Sequence, residues 1–242
     1  MPFSNTKLSV NINKLATIRN ARGGNNPNLI AFVKKIESYG AQGITLHPRP
    51  DERHIRYQDT MDLKLIVSTE YNIEGNPTPD FIALVLQIKP NQVTLVPDEP
   101  NVLTSNQGWD TIKHEVFLKE IIALFKSQGI RTSIFLNPDP MLIPSAKLTG
   151  TDRIELYTES YASQYLVNKE HAIAPYIATA KAAMEAGIGI NAGHDLDLNN
   201  LKYFAQNIPG LLEVSIGHAL ICDALEYGIA NTVKMYLNQL EF

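Results

Sequence analysis

The stretch Gly43–Ile55 reads GITLHPRPDERHI. It opens as a short apolar run, Ile44-Thr45-Leu46, whose β-branched residues suit a buried strand. Pro48 and Pro50 then end regular pairing. Function-capable side chains crowd into the break: His47, Arg49, Asp51, Glu52, Arg53 and His54. A charged surface loop could carry such residues by chance. A buried strand that delivers an imidazole and a guanidinium at its C-terminal end is also how an α/β barrel presents an active site.

Working outward, strands and helices alternate. Strands are expected at 8–12, 43–46, 71–73, 92–96, 131–136, 153–156, 187–190 and 212–216. After the first strand, a loop carries Asn13, Lys14, Arg19 and Arg22. Asn26-Pro27 reads as a cap and first helical residue, followed by Leu29, Phe32, Val33 and Ile36 at helical spacing. Further helices are expected at 62–68, 77–88, about 110–125, 141–148, 161–186 with a break at Pro175, 198–206 and 219–240. Three junctions repeat one form, helix end, glycine, strand: SYGAQGITL, KSQGIRTSIFL and MEAGIGINAG. Such alternation implies parallel strands with right-handed crossovers, and eight units favour a closed (β/α)8 barrel. The 242 residues match one such domain, with residues 97–108 as a candidate lid loop. The first strand is not followed by GxGxxG, which weakens a dinucleotide-binding alternative.

Composition narrows the function classes. Hydrophobic content of 44%, charged content of 19% and a net charge of −4 describe an ordinary globular chain without a basic surface for nucleic acid. Any anionic ligand must be held by local cations. Cys222 is the single cysteine, so an internal disulfide and a cysteine-based zinc site are excluded, which suits a cytoplasmic setting. Its neighbours Ala219-Leu220-Ile221 point to a buried thiol. The opening MPFSNTKLSV has no long apolar core, so no signal peptide is expected, and no apolar run spans a bilayer.

On a barrel, all strand ends meet on one face. Here they carry Asn11 and Asn13, His47 and Arg49, Glu74, Thr104 beyond the fourth strand, Asn137, His194, and Gly217-His218. Glu155 lies inside the sixth strand, where a lone carboxylate is costly unless it is used or paired with Arg22 or Arg153. Of the six histidines, four cluster after strands, whereas His114 and His171 fall in helical stretches. Gly193-His194 and Gly217-His218 each precede a helix, the place where barrels bind phosphate through backbone N–H groups. The residues alone therefore imply a barrel enzyme with His and Glu acid–base groups and room for one or two phosphates.

Seven motifs, in order, resemble the pyridoxine 5′-phosphate synthase family of deoxyxylulose-dependent vitamin B6 biosynthesis. They are VNINKLATIRNARGG, GITLHPRPDERHI, YNIEGN, VTLVPDEP with Thr104, RIELYTESYA, INAGHDL and SIGHALI, and they cover nearly the whole chain. The resemblance implies condensation of 3-amino-2-oxopropyl phosphate with 1-deoxy-D-xylulose 5-phosphate, without a metal or organic cofactor. It implies acid–base roles for His47, Glu74 and His194, and transition-state stabilisation by Glu155. It assigns Asn11, Arg22, Asp195, Gly217 and His218 to the aminoketone phosphate, and Asn13, Lys14, Arg49, His54 and Thr104 to the sugar phosphate. It further implies a cytoplasmic homo-octamer with small phosphorylated substrates as its partners, and neither nucleic acid nor membrane.

Three positions depart from the family pattern. Asn13 and Lys14 stand where an Asp-His pair is common, and Asp195 where some members have glycine. Asn13 cannot act as a base, Lys14 adds positive charge, and Asp195 would have to meet a phosphate through its backbone N–H. Two rival readings remain at this stage. One is a metal-dependent barrel hydrolase using His47, His54, His194 and Glu155, although the first strand lacks His-x-His and no HExxH occurs. The other is a non-catalytic barrel that only binds phosphorylated metabolites.

Overall fold

The computed structural model describes residues 6–98 and 105–242. Within them, eight parallel strands close into a barrel in chain order. They are β1 (Lys7–Asn11), β2 (Gly43–Leu46), β3 (Glu70–Gly75), β4 (Gln92–Leu95), β5 (Arg131–Leu136), β6 (Arg153–Tyr157), β7 (Gly189–Gly193) and β8 (Leu211–Ile216). The barrel closes where β8 pairs with β1, with Lys7 opposite Glu213 and Val10 opposite Ile216. Eleven α-helices among the described residues surround it, giving the (β/α)8 architecture that the alternation predicts.

Side chains alternate across a strand, and here the two faces differ in kind. Leu8 and Val10 of β1, Ile44 and Leu46 of β2, Ile134 and Leu136 of β5, and Val214 and Ile216 of β8 are fully buried and share one core with helix residues such as Val33, Val85, Leu118 and Phe204. Full burial of each such side chain contributes about 1.5–3 kcal/mol. The other face, which points to the barrel axis, is polar: Ser9, Thr45, Asn72, Thr94, Ser133, Glu155, Asn191 and Ser215 are all buried. Neighbouring strands satisfy one another there. Ser9 Oγ lies 2.7 Å from Thr45 Oγ1, Asn72 Nδ2 donates to Thr45 Oγ1 at 3.4 Å, and Thr94 Oγ1 donates to Asn72 Oδ1 at 3.2 Å. The N-terminal mouth is closed by ions: Arg131 pairs with Glu70, and Arg153 Nη1 lies 3.8 Å from Glu213 Oε2.

Several helices differ from the sequence expectation. The loop expected after β1 begins instead with a helix, Asn13–Asn20. Asn11 Oδ1 accepts the Asn13 N–H at 3.0 Å and satisfies an open donor of its first turn. The buried face of this helix includes Arg19, whose guanidinium grips Asp59 with two bonds of 2.6 and 2.7 Å and donates to the His54 carbonyl at 3.2 Å. A charge on a buried face hides the helical period. Asn28, not Asn26, caps Leu29–Ser38, accepting from the Ala31 N–H at 2.8 Å. The helix expected at 62–68 spans Tyr57–Lys64, started by Asp59 accepting the Arg56 N–H at 2.8 Å.

Between 161 and 186 the break falls before Lys169, where Asn168 accepts the His171 N–H at 2.9 Å, and Pro175 sits inside the helix Lys169–Glu185. The segment expected as one final helix is two, His218–Tyr227 and Ile229–Leu240, divided by Gly228 at φ +74°. Cys222 is exposed on the first of these rather than buried, with Sγ 3.7 Å from His218 Nε2.

The polar belt makes a prediction. Thr45→Val keeps volume but leaves Ser9 and Asn72 without their shared partner. Urea unfolding is expected to show a loss of about 1–3 kcal/mol; wild-type stability would mean that the belt does not depend on Thr45.

Candidate active site

At the C-terminal ends of the strands lies a cavity of about 510 Å³. Its walls include Asn11, Asn13, Lys14, His47, Arg49, His54, Glu74, Glu155, His194, Asp195, Gly217 and His218. Most residues singled out in the sequence are therefore gathered in one place. Arg22 is not among the lining residues; it is exposed in the turn after Asn13–Asn20. Thr104 and much of the candidate lid, 99–104, lie outside the described residues.

The inward parity of the strands explains the gathering. Asn11, Glu74, Phe135 and Glu155 are two residues beyond Ser9, Asn72, Ser133 and Arg153 on the same faces of their strands. His47 follows β2 in step with Thr45. Its backbone N–H donates to Asn13 Oδ1 at 2.9 Å, so Asn13 fixes the strand end. Asn11 Nδ2 donates to Glu74 Oε2 at 3.4 Å. Gly217 permits this arrangement, because a Cβ there would stand 3.0 Å from Asn11 Cβ. Gly193 does the same for Glu155: a Cβ would meet Ser215 O at 2.6 Å and Glu155 Oε1 at 2.9 Å. The small residue before His194 thus makes room for a catalytic-type carboxylate, where the sequence suggested close approach by a ligand.

Burial sets the protonation of the central groups. It raises Glu74 well above the usual carboxylate range, assisted by the charges of Glu155 and Asp98. Burial also pushes Glu155 up to about 7. For His47 burial acts the opposite way, lowering it well below its ordinary value with help from Arg49. His54 is lowered to about 4 by burial and then by Arg49 and Lys14. Its Nδ1 accepts the Ile55 N–H at 2.9 Å, so the neutral ring carries its proton on Nε2.

Glu155 pairs with neither arginine considered from sequence, since Arg153 turns to Glu213 and to Asn191 Oδ1, the latter at 3.1 Å. Arg49 lines the cavity, and its Nη2 lies 2.5 Å from Asp98 Oδ2, which also accepts from Ser105 Oγ at 2.9 Å. The Asp195 N–H donates to Thr158 Oγ1 at 3.2 Å. His114 meets Trp109 edge-on at 5.2 Å between ring centroids, away from the cavity lining.

Several contributors escaped sequence reading. Asp98 stands three residues beyond β4 and could have been found by that position. Phe135 also lines the cavity, its ring 6.5 Å from that of His194. Thr158 is fully buried beside that turn. Its role depends on a contact 35 residues away, with Thr158 Oγ1 donating to Gly193 O at 2.8 Å, which no local pattern announces. Among the described residues, no group of three or more His, Cys, Asp or Glu side chains is placed to hold a metal ion.

With this geometry in hand, comparison with known proteins is decisive. Residues 8–241 match the family described as "Pyridoxal phosphate biosynthesis protein PdxJ". The chain belongs to that family. It is 64% identical to pyridoxine 5′-phosphate synthase of Cytophaga hutchinsonii over 98% of this chain and 99% of the relative. Identity to the Flavobacterium johnsoniae protein of the same name is 63%, over 98% and 100%. The structure also resembles 3-keto-L-gulonate-6-phosphate decarboxylase from Vibrio cholerae, with a TM-score of 0.62, 8% identity and 97% of each chain covered. That likeness is one of fold alone. Family membership makes the chain an enzyme and the cavity its candidate active site.

The raised Glu155 makes a prediction about stability. Its folded value of about 7 lies above the ordinary 4.5, so the folded state holds this proton more tightly than the unfolded state. That contribution is fully present below the unfolded value and is lost as pH rises through about 7. Glu155→Gln is therefore expected to match wild type in acid and to exceed it at mildly alkaline pH, by on the order of 1–3 kcal/mol. Denaturant unfolding across that range checks it; a constant difference between the two proteins would contradict it.

Proposed function

We propose that this enzyme is a pyridoxine 5′-phosphate synthase. It condenses 3-amino-2-oxopropyl phosphate with 1-deoxy-D-xylulose 5-phosphate, releasing pyridoxine 5′-phosphate, phosphate and water. The names of its relatives support the reading. So does one observation of the cavity: His47 and Glu74 share its walls, where burial lowers the pKa of the imidazole and raises that of the carboxyl.

The chemistry needs both forms. An amine adds to a ketone, water leaves, protons move at carbon, phosphate is eliminated and a ring closes. His47, neutral near pH 7, takes protons. Glu74, its pKa raised by burial, gives them. Glu155 stands close enough to neutrality to stabilise positive charge as it develops. His194 serves the second half of the proton traffic. Lys14, Arg49 and His54 form the cationic and N–H-bearing side suited to the sugar phosphate. Gly217 and His218, at the start of the helix His218–Tyr227, suit the aminoketone phosphate. Arg49 exchanges its Asp98 contact for the incoming phosphate, and Arg22 reaches the aminoketone phosphate only if its turn moves.

The working form is a cytoplasmic homo-octamer in this proposal. Leu166 and Val167 are 89% and 78% exposed in the single chain and supply apolar area for subunit contact. No helix among the described residues is long and apolar enough to cross a membrane.

The test is an assay of chelator-treated protein with both substrates, the unstable aminoketone phosphate being generated in situ. Pyridoxine 5′-phosphate and inorganic phosphate are expected to appear together without added metal. Phosphate released without pyridoxine 5′-phosphate, and only after metal is restored, would favour the hydrolase alternative, and binding without turnover the non-catalytic one. His47→Ala is expected to lower kcat about 10²–10⁴-fold with substrate affinity nearly intact. Unchanged turnover would remove His47 from the mechanism. Arg49→Ala is expected to raise the KM for the sugar phosphate more than it lowers kcat; an unchanged KM would free Arg49 from that role.

A further inference from the structure

We propose that Asp195 is the positioning partner of His194. Its carboxylate holds the imidazole with Nδ1–H donated to Oδ2, so that Nε2 is the atom that exchanges protons with substrate. The inference rests on the synthase reading for the identity of that substrate, and on geometry for everything else.

His194 Nδ1 and Asp195 Oδ2 lie 2.7 Å apart. An ionised carboxylate only accepts, and a neutral imidazole carries one N–H, so the contact places the proton on Nδ1 and leaves a lone pair on Nε2. Neighbours in sequence on an extended strand point to opposite sides. Here they meet because His194 adopts φ +107°, an unusual conformation for a residue with a Cβ. The backbone around it is held from outside. Thr158 Oγ1 donates to Gly193 O at 2.8 Å and accepts the Asp195 N–H at 3.2 Å, and Asn200 Nδ2 donates to Asp195 O at 3.3 Å. The ring is then walled by Tyr157, whose centroid lies 5.3 Å away at an interplanar angle of 80°. Strain maintained by a dedicated clamp, at a residue lining the active site, points to a required orientation.

This arrangement also changes the part given to Asp195. A phosphate contact would need its backbone N–H, and that donor already serves the clamp. The titratable groups facing His194 are Glu155 and Tyr157 of β6, His47 after β2, and Asp195 itself. Asp195 meets the ring at Nδ1.

Asp195→Asn keeps the shape and one acceptor oxygen while removing the charge. In an assay of pyridoxine 5′-phosphate formation across pH, kcat is expected to fall about tenfold with both KM values within about twofold of wild type. An unchanged kcat would overturn the proposal. So would a raised KM at unchanged kcat, which would make Asp195 a substrate contact. A second measurement needs no turnover. Nitrogen-15 NMR of the resting wild-type enzyme, with His194 assigned by its loss in His194→Gln, is expected to show the neutral Nδ1–H tautomer. The Nε2–H tautomer would refute the dyad. Were the wild type to make no pyridoxine 5′-phosphate, the functional reading would fail while the NMR result still decided the dyad.

Discussion

Each strand of this barrel turns its apolar face outward to the helices and its polar face inward to the axis. The rest of the molecule follows from that division. Apolar burial between strands and helices supplies the main favourable term in stability. The axis contributes little of that kind, and a polar atom left unpaired there costs about 1–3 kcal/mol. Hydroxyls and amides of neighbouring strands therefore bond to one another, from Ser9 through Thr45 and Asn72 to Thr94. Above that belt the same inward face continues as Glu74 and Glu155, and below it as Arg153 and Glu213.

Glu74 and His47 draw their shifted protonation from this placement. A low-dielectric surrounding disfavours charge of either sign. It drives a carboxyl to keep its proton and an imidazole to give its proton up. One environment thus shifts Glu74 upward and His47 downward, without needing a different neighbourhood for each. Arg49 depresses His47 further, and Asp98, which pairs with Arg49, helps to raise Glu74. Removing Arg49 would therefore act on both groups at once.

Much of the architecture was legible in the sequence because it is written in local signals. Repeated helix–glycine–strand junctions count the units, and polar residues just after apolar runs mark the mouth of the barrel. His47, Glu74 and His194 carry that mark, Glu155 stands out as a carboxylate inside an apolar strand, and all four line the cavity. What escaped depends on distance. Arg19 sits on the buried face of a helix because Asp59, 40 residues on, neutralises it, and so a helix looked like a loop. Thr158 looks like an ordinary threonine until the turn of β7 folds against it. The split at Gly228 was missed because helical spacing resumes on both sides of it. Cys222 was misjudged because its apolar neighbours pack inward while it points out. In the naming of substrates, motif order carried more information than any physical property of the residues, since many phosphates could satisfy the same cations.

The inward polar face bears finally on how the chain reaches its fold. β1 must wait for β8, more than 200 residues later, before the ring can close; Thr6 Oγ1 meets Leu211 O across 205 positions. Such late closure is slow for entropic reasons. In most barrels the waiting intermediate would show water a greasy channel. Here an open sheet hydrates its inner face at little cost while its outer face is already covered by helices. The last strand to join then exchanges water on that face for hydrogen bonds and ion pairs.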